Sequence, residues 1–271
     1  MAASPEIFRA QPLENGDSSL PVVQRRVLPI YRLTTQFMKP DCEMLDIGTY
    51  DGFGVVELLN SAEGKVKHLT SIDIDPKMLA RALSRSEINQ ELEQKGLHLV
   101  QMDARNLALP NNCIDLVTLI EVIGVGLENS DDPLADWRKI LNESARVLKN
   151  DGTLIFTFRD ILDSYPDETI EWDTFSANDG GLKGIPLNKG ALEQDIGAIF
   201  EEVMWYGQIL MERDGRVPGR IYYKEDNVIH TFWNSQAFIP IEKTQIDVWE
   251  KRLGANYFPL FWIGIAKYPR K

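Results

Sequence analysis

The feature that most constrains the fold is a regular alternation of apolar runs of strand length with segments of helical spacing. Apolar runs lie at residues 43–47, 66–74, 97–102, 113–120 and 153–158. Segments between them place apolar residues three and four positions apart, which is typical of helices that cover a sheet. Strand–helix–strand units connect with right-handed crossovers, which put helices on both faces of a parallel sheet. The sequence therefore predicts an α/β fold with a doubly wound, mostly parallel sheet.

Glycines and carboxylates follow the first three of these runs. The first leads into Asp46-Ile-Gly48-Thr-Tyr-Asp51-Gly52-Phe-Gly, Asp73 follows Ile72 in the second, and Asp103 follows the third. Ligands of open α/β sheets bind outside the carboxyl ends of the strands, so these residues predict one binding site. The glycine spacing differs from the dinucleotide pattern G-x-G-x-x-G. The acids in the loop suit a positively charged ligand better than a diphosphate.

Each of the later acids has two interpretations. Asp73 can accept hydrogen bonds from both hydroxyls of a ribose, or it can cap the helix that starts at Pro76, which Asp75 could do equally well. Asp103 can accept a hydrogen bond from the exocyclic amino group of a purine, or it can be a solvated turn residue. At successive strand ends the acids together indicate a pocket for an adenosine-like ligand that carries a cation.

Five segments of this region resemble those of the class I S-adenosylmethionine-dependent methyltransferases. Asp46-Ile-Gly48 with Gly52 is similar to the first motif of that family, in which glycines follow an acid at alternate positions. Asp73 matches the acid that ends the second strand and holds the ribose in the family. Asp103 begins a segment that is similar to the family's adenine-contacting segment. The last two segments are the start of the fourth strand at Cys113 and the turn into the fifth strand at 146–154. The resemblance extends over residues 43–158, which are 116 of the 271 residues of the chain.

This resemblance implies a fold, a cofactor and a set of binding residues. The fold is the Rossmann-like methyltransferase fold, with a seven-stranded sheet and a cap or lid insertion. The cofactor is S-adenosyl-L-methionine, and S-adenosyl-L-homocysteine is the product. Tyr50 stands where the family has glycine, so its side chain must point away from the methionine moiety or line its pocket. The cofactor-binding residues that the resemblance implies are Asp46, Gly48, Thr49, Tyr50, Gly52, Asp73, Ile74, Asp103, Ala104 and Glu121.

The sequence pattern and the resemblance together predict three parts of the chain. Residues 1–40 are predicted to form an N-terminal arm and a cap helix that is broken near Pro29, and residues 41–160 the cofactor-binding core. Residues 161–271 complete the sheet and carry lid and substrate-binding elaborations. The polar stretch at 159–186 is either a lid over the acceptor or a disordered insertion, because it is too long for an ordinary connection between a strand and a helix.

Methyl transfer from a sulfonium needs no covalent residue, and it needs a general base only if the acceptor must lose a proton. Glu121, after the fourth strand, is a candidate base that could equally line the cofactor pocket. His230 is the other candidate and could equally be an ordinary strand histidine. Arg159, after the fifth strand, could orient a polar substrate. The aromatic residues that could form an apolar substrate wall, or pack in the core instead, are Trp205, Tyr206, Tyr222, Tyr223 and Trp233.

Charge and missing motifs narrow the class of acceptor. The chain carries 29 Lys and Arg against 41 Asp and Glu, a net charge of −12, which disfavours binding to nucleic-acid phosphates. The fourth strand leads into Ile120-Glu-Val-Ile-Gly124, not into the Asn/Asp-Pro-Pro-Tyr/Phe signature of amino-group methylation in adenine or glutamine. The sequence thus predicts a small-molecule acceptor. The alternatives are a non-catalytic cofactor-binding or partner subunit and, against the glycine spacing, a nicotinamide-dependent oxidoreductase.

The remaining predictions concern metals, membranes and location. Two cysteines, Cys42 and Cys113, have no metal-ligand spacing, and three histidines are scattered, so no metal site is predicted. The N-terminal residues lack the basic and apolar segments of a signal peptide, and no apolar run approaches the ~20 residues that span a bilayer. The expected protein is soluble and cytoplasmic, with no membrane partner. The pattern leaves its oligomeric state open.

Overall fold

The computed structural model describes residues 8–9, 22–89, 96–123, 130–158, 189–211, 235–240 and 261–271. The strands in these ranges are β1 (Phe8–Arg9), β2 (Cys42–Ile47), β3 (Val66–Asp73), β4 (Leu97–Gln101), β5 (Ile114–Leu119), β6 (Leu148–Phe158), β7 (Phe200–Met211), β8 (Ser235–Pro240) and β9 (Phe261–Pro269). The helices are α1 (Val22–Thr34), α2 (Phe53–Ser61), α3 (Pro76–Leu83), α4 (Pro133–Val147) and α5 (Lys189–Ile199). None of the helices in this part of the chain is long and apolar enough to cross a membrane.

The strands of the described residues form one sheet in the order β1-β8-β7-β9-β6-β5-β2-β3-β4. Strands β2 to β6 run parallel to one another, whereas β9 pairs antiparallel with both β6 and β7. The prediction of a doubly wound, mostly parallel sheet of the methyltransferase type is confirmed. Two further strands, β8 and the two-residue β1, extend the sheet by antiparallel pairing beyond β7. The predicted lid at 159–186 falls outside the described residues.

Alternate residues of the central strands supply two cores, one on each face of the sheet. In β6, Leu154 and Phe156 are buried on one face and Ile155 on the other, as the two-residue period of a strand requires. Helices α4 and α5 cover the first face, where Trp137 is fully buried. Helices α1, α2 and α3 cover the second face, where Tyr31 of α1 is buried. Helices therefore lie on both faces, as predicted.

Close packing fixes β9 between β6 and β7. A Cβ atom on Gly264 would lie 2.0 Å from Cζ of Phe156, so the ring of Phe156 occupies the space that a side chain would need. The same ring packs edge-on against Trp205 at 5.5 Å between centroids. Tyr206, on the neighbouring position of β7, is buried in the opposite core. Tyr206 is thus a core residue and the partly buried Trp205 packs against the other core, so neither forms a substrate wall, while Tyr222, Tyr223 and Trp233 lie outside the described ranges.

Capping side chains set the starts of two helices. The carboxylate of Asp75 accepts a hydrogen bond from the backbone N–H of Lys77 at 2.8 Å, and Pro76 takes the first helical position of α3. Asp132 accepts in the same way from the backbone N–H of Ala135 at 3.0 Å, at the start of α4. Asp75 therefore fills the capping role that the sequence left open between Asp73 and Asp75.

Helix α1 continues through Pro29, where the sequence pattern had predicted a break. A proline inside a helix removes one backbone hydrogen bond and costs roughly 3 kcal/mol. Burial of Ile30, Tyr31 and Leu33 against the sheet offsets that cost, because a buried apolar side chain contributes about 1.5–3 kcal/mol. The helix is held by its packing and not by its local sequence preference.

Candidate active site

The glycine loop that follows β2 is tied to the end of β3. The backbone N–H groups of Gly48 and Thr49 both donate to the carbonyl of Ile72, at 2.8 and 3.0 Å. Gly48 and Gly52 have φ angles of 94° and 86°, which residues other than glycine rarely adopt. A Cβ atom on Gly48 would also lie 2.6 Å from Cγ2 of Val122, after β5. The ends of β2, β3 and β5 therefore meet at this loop.

Tyr50 adopts the same left-handed backbone conformation as the glycines on either side. Its φ is 50°, which costs an L-residue roughly 1–2 kcal/mol. Its backbone N–H donates to Oδ2 of Asp73 at 2.9 Å, and its ring lies edge-on to that of Phe53 at 6.2 Å. The side chain is 47% exposed. Tyr50 therefore changes the surface of the loop while the backbone keeps a path that suits glycine.

Asp73 is the last residue of β3, and each of its carboxylate oxygens already accepts one hydrogen bond. Oδ2 accepts from the N–H of Tyr50, and Oδ1 accepts from the N–H of Asp75 at 2.9 Å. A carboxylate oxygen has two lone-pair positions, so each oxygen can accept a second bond, for example from a vicinal pair of hydroxyls. Ile74, the next residue, is 56% exposed and offers an apolar surface beside these acceptors.

Asp46 lies beneath the loop, fully buried. Its Oδ1 accepts from the hydroxyl of Thr118 at 2.7 Å and stands 3.4 Å from that of Tyr31. Its Oδ2 accepts from Ser71 at 2.8 Å, and the Ser71 hydroxyl shares a 2.7 Å hydrogen bond with that of Thr49. Burial raises the pKa of Asp46, while the hydroxyl donors lower it. This arrangement of Tyr31, Asp46, Thr49, Ser71 and Thr118 is called the hydroxyl cluster below.

Asp103, after β4, is engaged in an ion pair. Its carboxylate accepts from the Arg105 guanidinium, with Nη2 2.7 Å from Oδ2 and Nε 3.0 Å from Oδ1. Hydrogen bonds from Arg105 lower the pKa of Asp103, so this carboxylate is ionised near neutral pH. Nη1 of Arg105 donates in turn to Asp136 in α4 at 2.7 Å. Ala104, between the pair, packs partly buried against the core. A purine amino group would join an existing ion pair at Asp103.

The loop that carries Asp103 is fastened to α4. Arg146 donates to the carbonyls of Leu107 and Leu109, at 2.9 and 2.8 Å. Glu143 accepts from the backbone N–H of Leu107 at 2.7 Å and pairs with Arg146. The residues that join this loop to α4, namely Asp103, Arg105, Asp136, Lys139, Glu143 and Arg146, are called the ion-pair cluster below.

Glu121 follows β5 at the predicted edge of the sheet. Its φ is 56°, and its backbone N–H donates to Oγ1 of Thr157 at 2.9 Å. Residues other than glycine that have this left-handed backbone conformation are held in it by their surroundings and are concentrated at functional sites. The next residue, Val122, is the one that contacts Gly48. The predicted site residues Arg159, Tyr222, His230 and Trp233 lie outside the described ranges and stay predictions.

The structure brings the predicted loop residues, Asp73 and the segment after β5 together at one edge of the sheet. Sequence reasoning missed Tyr31, Ser71, Thr118 and Thr157. Ser71 and Thr118 carried a signal, because a hydroxyl on a buried position of an apolar strand requires a partner. Tyr31 carried none, since an aromatic residue on the apolar side of a helix is ordinary.

Comparisons with known proteins agree with this geometry. Residues 45–156 match the protein family described as “Methyltransferase domain”. No curated protein matches the chain in a sequence search.

Three solved structures share the fold over nearly the whole chain. The possible histamine N-methyltransferase of Thermotoga maritima, described as S-adenosylmethionine-dependent, has a TM-score of 0.53 and 15% identity and covers 91% of both chains. The [4+2]-cyclase SpnF has a TM-score of 0.56 and 20% identity, over 98% of this chain and 89% of its own. A chain of the complex between the Haloferax volcanii Trm112 methyltransferase activator and a putative methyltransferase has a TM-score of 0.52 and 13% identity, over 92% of both chains. At these identities the likeness concerns the fold alone.

Proposed function

We propose that this chain, whose residues 45–156 match the family described as “Methyltransferase domain”, is a class I S-adenosyl-L-methionine-dependent methyltransferase that methylates a small-molecule acceptor. The observation that carries the choice of acceptor is the net charge of −12. A nucleic-acid acceptor needs a basic surface to neutralise its phosphates, and this chain has twelve more acids than bases. The segment after β5 also lacks the Asn/Asp-Pro-Pro-Tyr/Phe signature of amino-group methylation in adenine or glutamine.

The residues at the strand ends fit this cofactor. The second lone pairs on the Asp73 carboxylate oxygens suit the two ribose hydroxyls. The exposed side chain of Ile74 and the backbone at Ala104 suit the faces of the adenine ring. The positive φ angles of Gly48 and Gly52 let the loop turn tightly, so that its backbone can approach the methionine moiety.

The charges at this edge of the sheet suit a cation. Asp73 lies at the surface of the site, Glu121 follows β5, and Asp46 lies buried beneath the loop. When bound, S-adenosylmethionine supplies an electrophilic methyl group on a positively charged sulfur. The three carboxylates favour the positive charge of the cofactor. The chain contributes chiefly by holding the acceptor in line with the methyl group and excluding water.

Glu121 is the proposed catalytic residue on the cofactor side. Its backbone is fixed by Thr157, so its carboxylate is held at the carboxyl end of β5. It accepts the acceptor's proton if that proton must leave in the transition state, and otherwise orients the acceptor. His230 is the alternative base, with Arg159, Tyr222 and Trp233 as substrate contacts. Measuring kcat against pH for Glu121→Gln and His230→Gln distinguishes the two bases. In wild type, protonation of the base lowers kcat as pH falls, and only the variant that lacks the base should lose this dependence.

Residues 159–186 are proposed to cover the acceptor. Three aromatic residues among acids and glycines support this assignment: Tyr165, Trp172 and Phe175. A lid of this kind closes during the reaction and keeps water out. Cofactor with acceptor should slow hydrogen exchange over 159–186 more than cofactor alone. Fast exchange in every ligand state, with full activity of a shortened chain, would contradict the lid.

The acceptor class is tested by following the methyl group. Purified chain is incubated with methyl-labelled S-adenosylmethionine and a cell extract that has been separated into metabolite, nucleic-acid and protein fractions. Label should enter the metabolite fraction only, and at a subsaturating cofactor concentration Asp73→Ala should transfer much less label because it binds the cofactor more weakly. Label that depends on active chain and appears in nucleic acid or protein would contradict the small-molecule proposal.

A second candidate function is methyl transfer that requires a partner protein. It is favoured by the fold neighbour from the complex between the Haloferax volcanii Trm112 methyltransferase activator and a putative methyltransferase. It is also compatible with β4, which ends the described sheet and leaves one row of backbone groups for pairing. The purified chain would then be inactive alone and active with a co-purified partner. Full activity of the isolated chain excludes it.

A further inference from the structure

Tyr31 of α1 reaches beneath the glycine loop through a gap left by a missing side chain. The residue is 4% exposed. A Cβ atom on Gly54, in the first turn of α2, would lie 2.2 Å from Cε2 and 2.4 Å from Cζ of the Tyr31 ring. Glycine at position 54 therefore lets the ring pass close to the α2 backbone toward the sheet.

At the end of this path the Tyr31 hydroxyl meets the carboxylate of Asp46. Together with Ser71 and Thr118 it makes three hydroxyls around one buried acid, supplied by α1, β3 and β5. The hydrogen-bond partners of Asp46 within the described ranges include no cation. A buried charge of this kind is stabilised only by its donors, and losing one donor is costly.

The same carboxylate is connected to the binding surface. The Ser71 hydroxyl bonds both Asp46 and Thr49, and the N–H of Thr49 donates to the carbonyl of Ile72. Tyr50, the next residue, donates its N–H to Asp73. A shift of the Asp46 carboxylate would therefore pass through two hydrogen bonds to the loop and then to Asp73.

We propose that Tyr31 is a positioning residue for cofactor binding: its hydroxyl orients the buried carboxylate of Asp46, which fixes the glycine loop. Helix α1 lies outside the matched domain at residues 45–156, so the cofactor site extends beyond that domain. This inference rests on the cofactor assigned above and is independent of the acceptor. Tyr31 acts through Asp46 and the loop, without touching the cofactor.

The expected pH effect follows from the charged groups that face this pair. Asp73 at the end of β3 faces Asp46, and Glu121 after β5 faces Tyr31. Burial raises the pKa of Asp46, and the hydrogen bond from Tyr31 lowers it. Removing the hydroxyl therefore raises that pKa further. Because ionised Asp46 favours a cationic ligand, affinity falls as the acid is protonated, and it falls at higher pH in the variant.

The test is titration of wild type and Tyr31→Phe with S-adenosylmethionine and S-adenosylhomocysteine over a pH series. The ring of the variant still fills the space beside Gly54, so the fold is retained. Affinity near neutral pH should be about tenfold weaker, equivalent to about 1.4 kcal/mol. The decline of affinity toward acid should begin at higher pH, and more clearly for S-adenosylmethionine, which carries the extra positive charge.

Arg32→Gln is the matched control. It removes the ion pair that joins α1 to Glu57 of α2 and leaves the Asp46 carboxylate untouched. It should lower the melting temperature without shifting the pH dependence of binding. An unchanged pH dependence in Tyr31→Phe, or the same loss in both variants, would contradict a positioning role.

Hydrogen exchange of the wild type gives a second, independent readout if Tyr31→Phe does not fold. Binding of S-adenosylhomocysteine should slow exchange in residues 30–34 of α1, whereas α5, which covers the other face of the sheet, serves as the reference. No slowing in α1 would overturn the proposal. Failure of the wild type to bind either ligand would instead contradict the cofactor, and neither result bears on the acceptor class.

Discussion

The hydroxyl cluster and the ion-pair cluster both support ligand-facing loops, but they hold their carboxylates in different ways. In the hydroxyl cluster, one fully buried acid, Asp46, is held by neutral donors. In the ion-pair cluster, Asp103, Asp136 and Glu143 are held by arginine and lysine at the edge of α4. The first depends on burial and shape, which salt does not screen. The second depends on charges that solvent and salt weaken.

Acid acts on the two clusters in opposite directions. Burial raises the pKa of Asp46, so its contribution to stability is complete below the ordinary carboxyl pKa and is lost as pH rises through the folded value. Hydrogen bonds from Lys139 and then Arg105 lower the pKa of Asp136. The contribution of Asp136 is present above about pH 4, the ordinary carboxyl value, and is lost as pH falls through its lower folded value. Acidification therefore loosens the ion-pair cluster and leaves the hydroxyl cluster in place.

The largest effect is expected where the loop above the hydroxyl cluster meets the ligand. Asp73→Ala removes an acceptor of ribose hydroxyls and of the Tyr50 N–H, and should weaken binding of S-adenosylhomocysteine by about 1.5–3 kcal/mol. Asp75→Ala, the control, removes the cap of α3 and should cost about 1 kcal/mol of stability with little change in affinity. Calorimetric titration measures both. Equal affinities of the two variants would remove Asp73 from the site.

The hydroxyl cluster can be broken by shape alone. Gly54→Ala places a methyl group 2.2 Å from the Tyr31 ring, and overpacking of this kind costs about 1–3 kcal/mol. The displaced ring should also weaken cofactor binding. Gly197→Ala in α5 is the control, because open space surrounds that position, and it should stabilise by about 0.5–1 kcal/mol. Denaturant unfolding measures both, and a neutral Gly54→Ala would show that the ring is not tightly fitted.

A pair of variants at Tyr50 separates backbone strain from the side chain. Tyr50→Gly relieves the left-handed conformation, whereas Tyr50→Ala keeps the strain without the ring. The glycine variant should exceed the alanine variant in stability by about 1–2 kcal/mol. Cofactor affinity of the alanine variant against wild type then reports the contribution of the ring. Equal stability of the two variants would mean that the loop path adapts to the residue.

The smallest effect is expected from breaking the ion-pair cluster. Arg105→Gln removes the partner that Asp103 and Asp136 share, and should lower the melting temperature slightly at low salt. The difference from wild type should shrink at high salt, and also as pH falls from about 4 toward the lowered pKa values of Asp103 and Asp136, where these carboxylates lose their charge. Thermal melts over salt and pH test this. A difference that persists at high salt would indicate packing and not charge.

Local patterns predicted much of the sheet. The ends of four strands, β2 to β5, lie within one residue of the ends of the apolar runs that predicted them. These runs could be found because apolar spacing and flanking glycine and proline are local signals. β6 begins at Leu148, before the predicted run, since pairing with β5 at Ile114 starts ahead of the glycine turn. The pairing of β1 with β8 was not predicted, because it joins residues far apart in the chain.

The candidate site also has one part that local sequence predicted and one part that it did not. The glycines and Asp73 were predictable, since a tight turn and an acid at a strand end are visible in a few residues of sequence. The bond between Tyr31 and Asp46 spans 15 positions, and that between Arg105 and Asp136 spans 31. Both depend on where a helix docks on the sheet, which is decided by packing of the whole domain.

The position of β9 between β6 and β7 has a consequence for biosynthesis. The two outer strands leave the ribosome before the one that joins them, so their facing backbone groups stay unpaired until residues 261–269 emerge. Unpaired strand edges invite wrong pairing with other chains during this interval. A nascent chain stopped before β9 should therefore be captured by chaperones, and the last folding step waits for translation to deliver this strand.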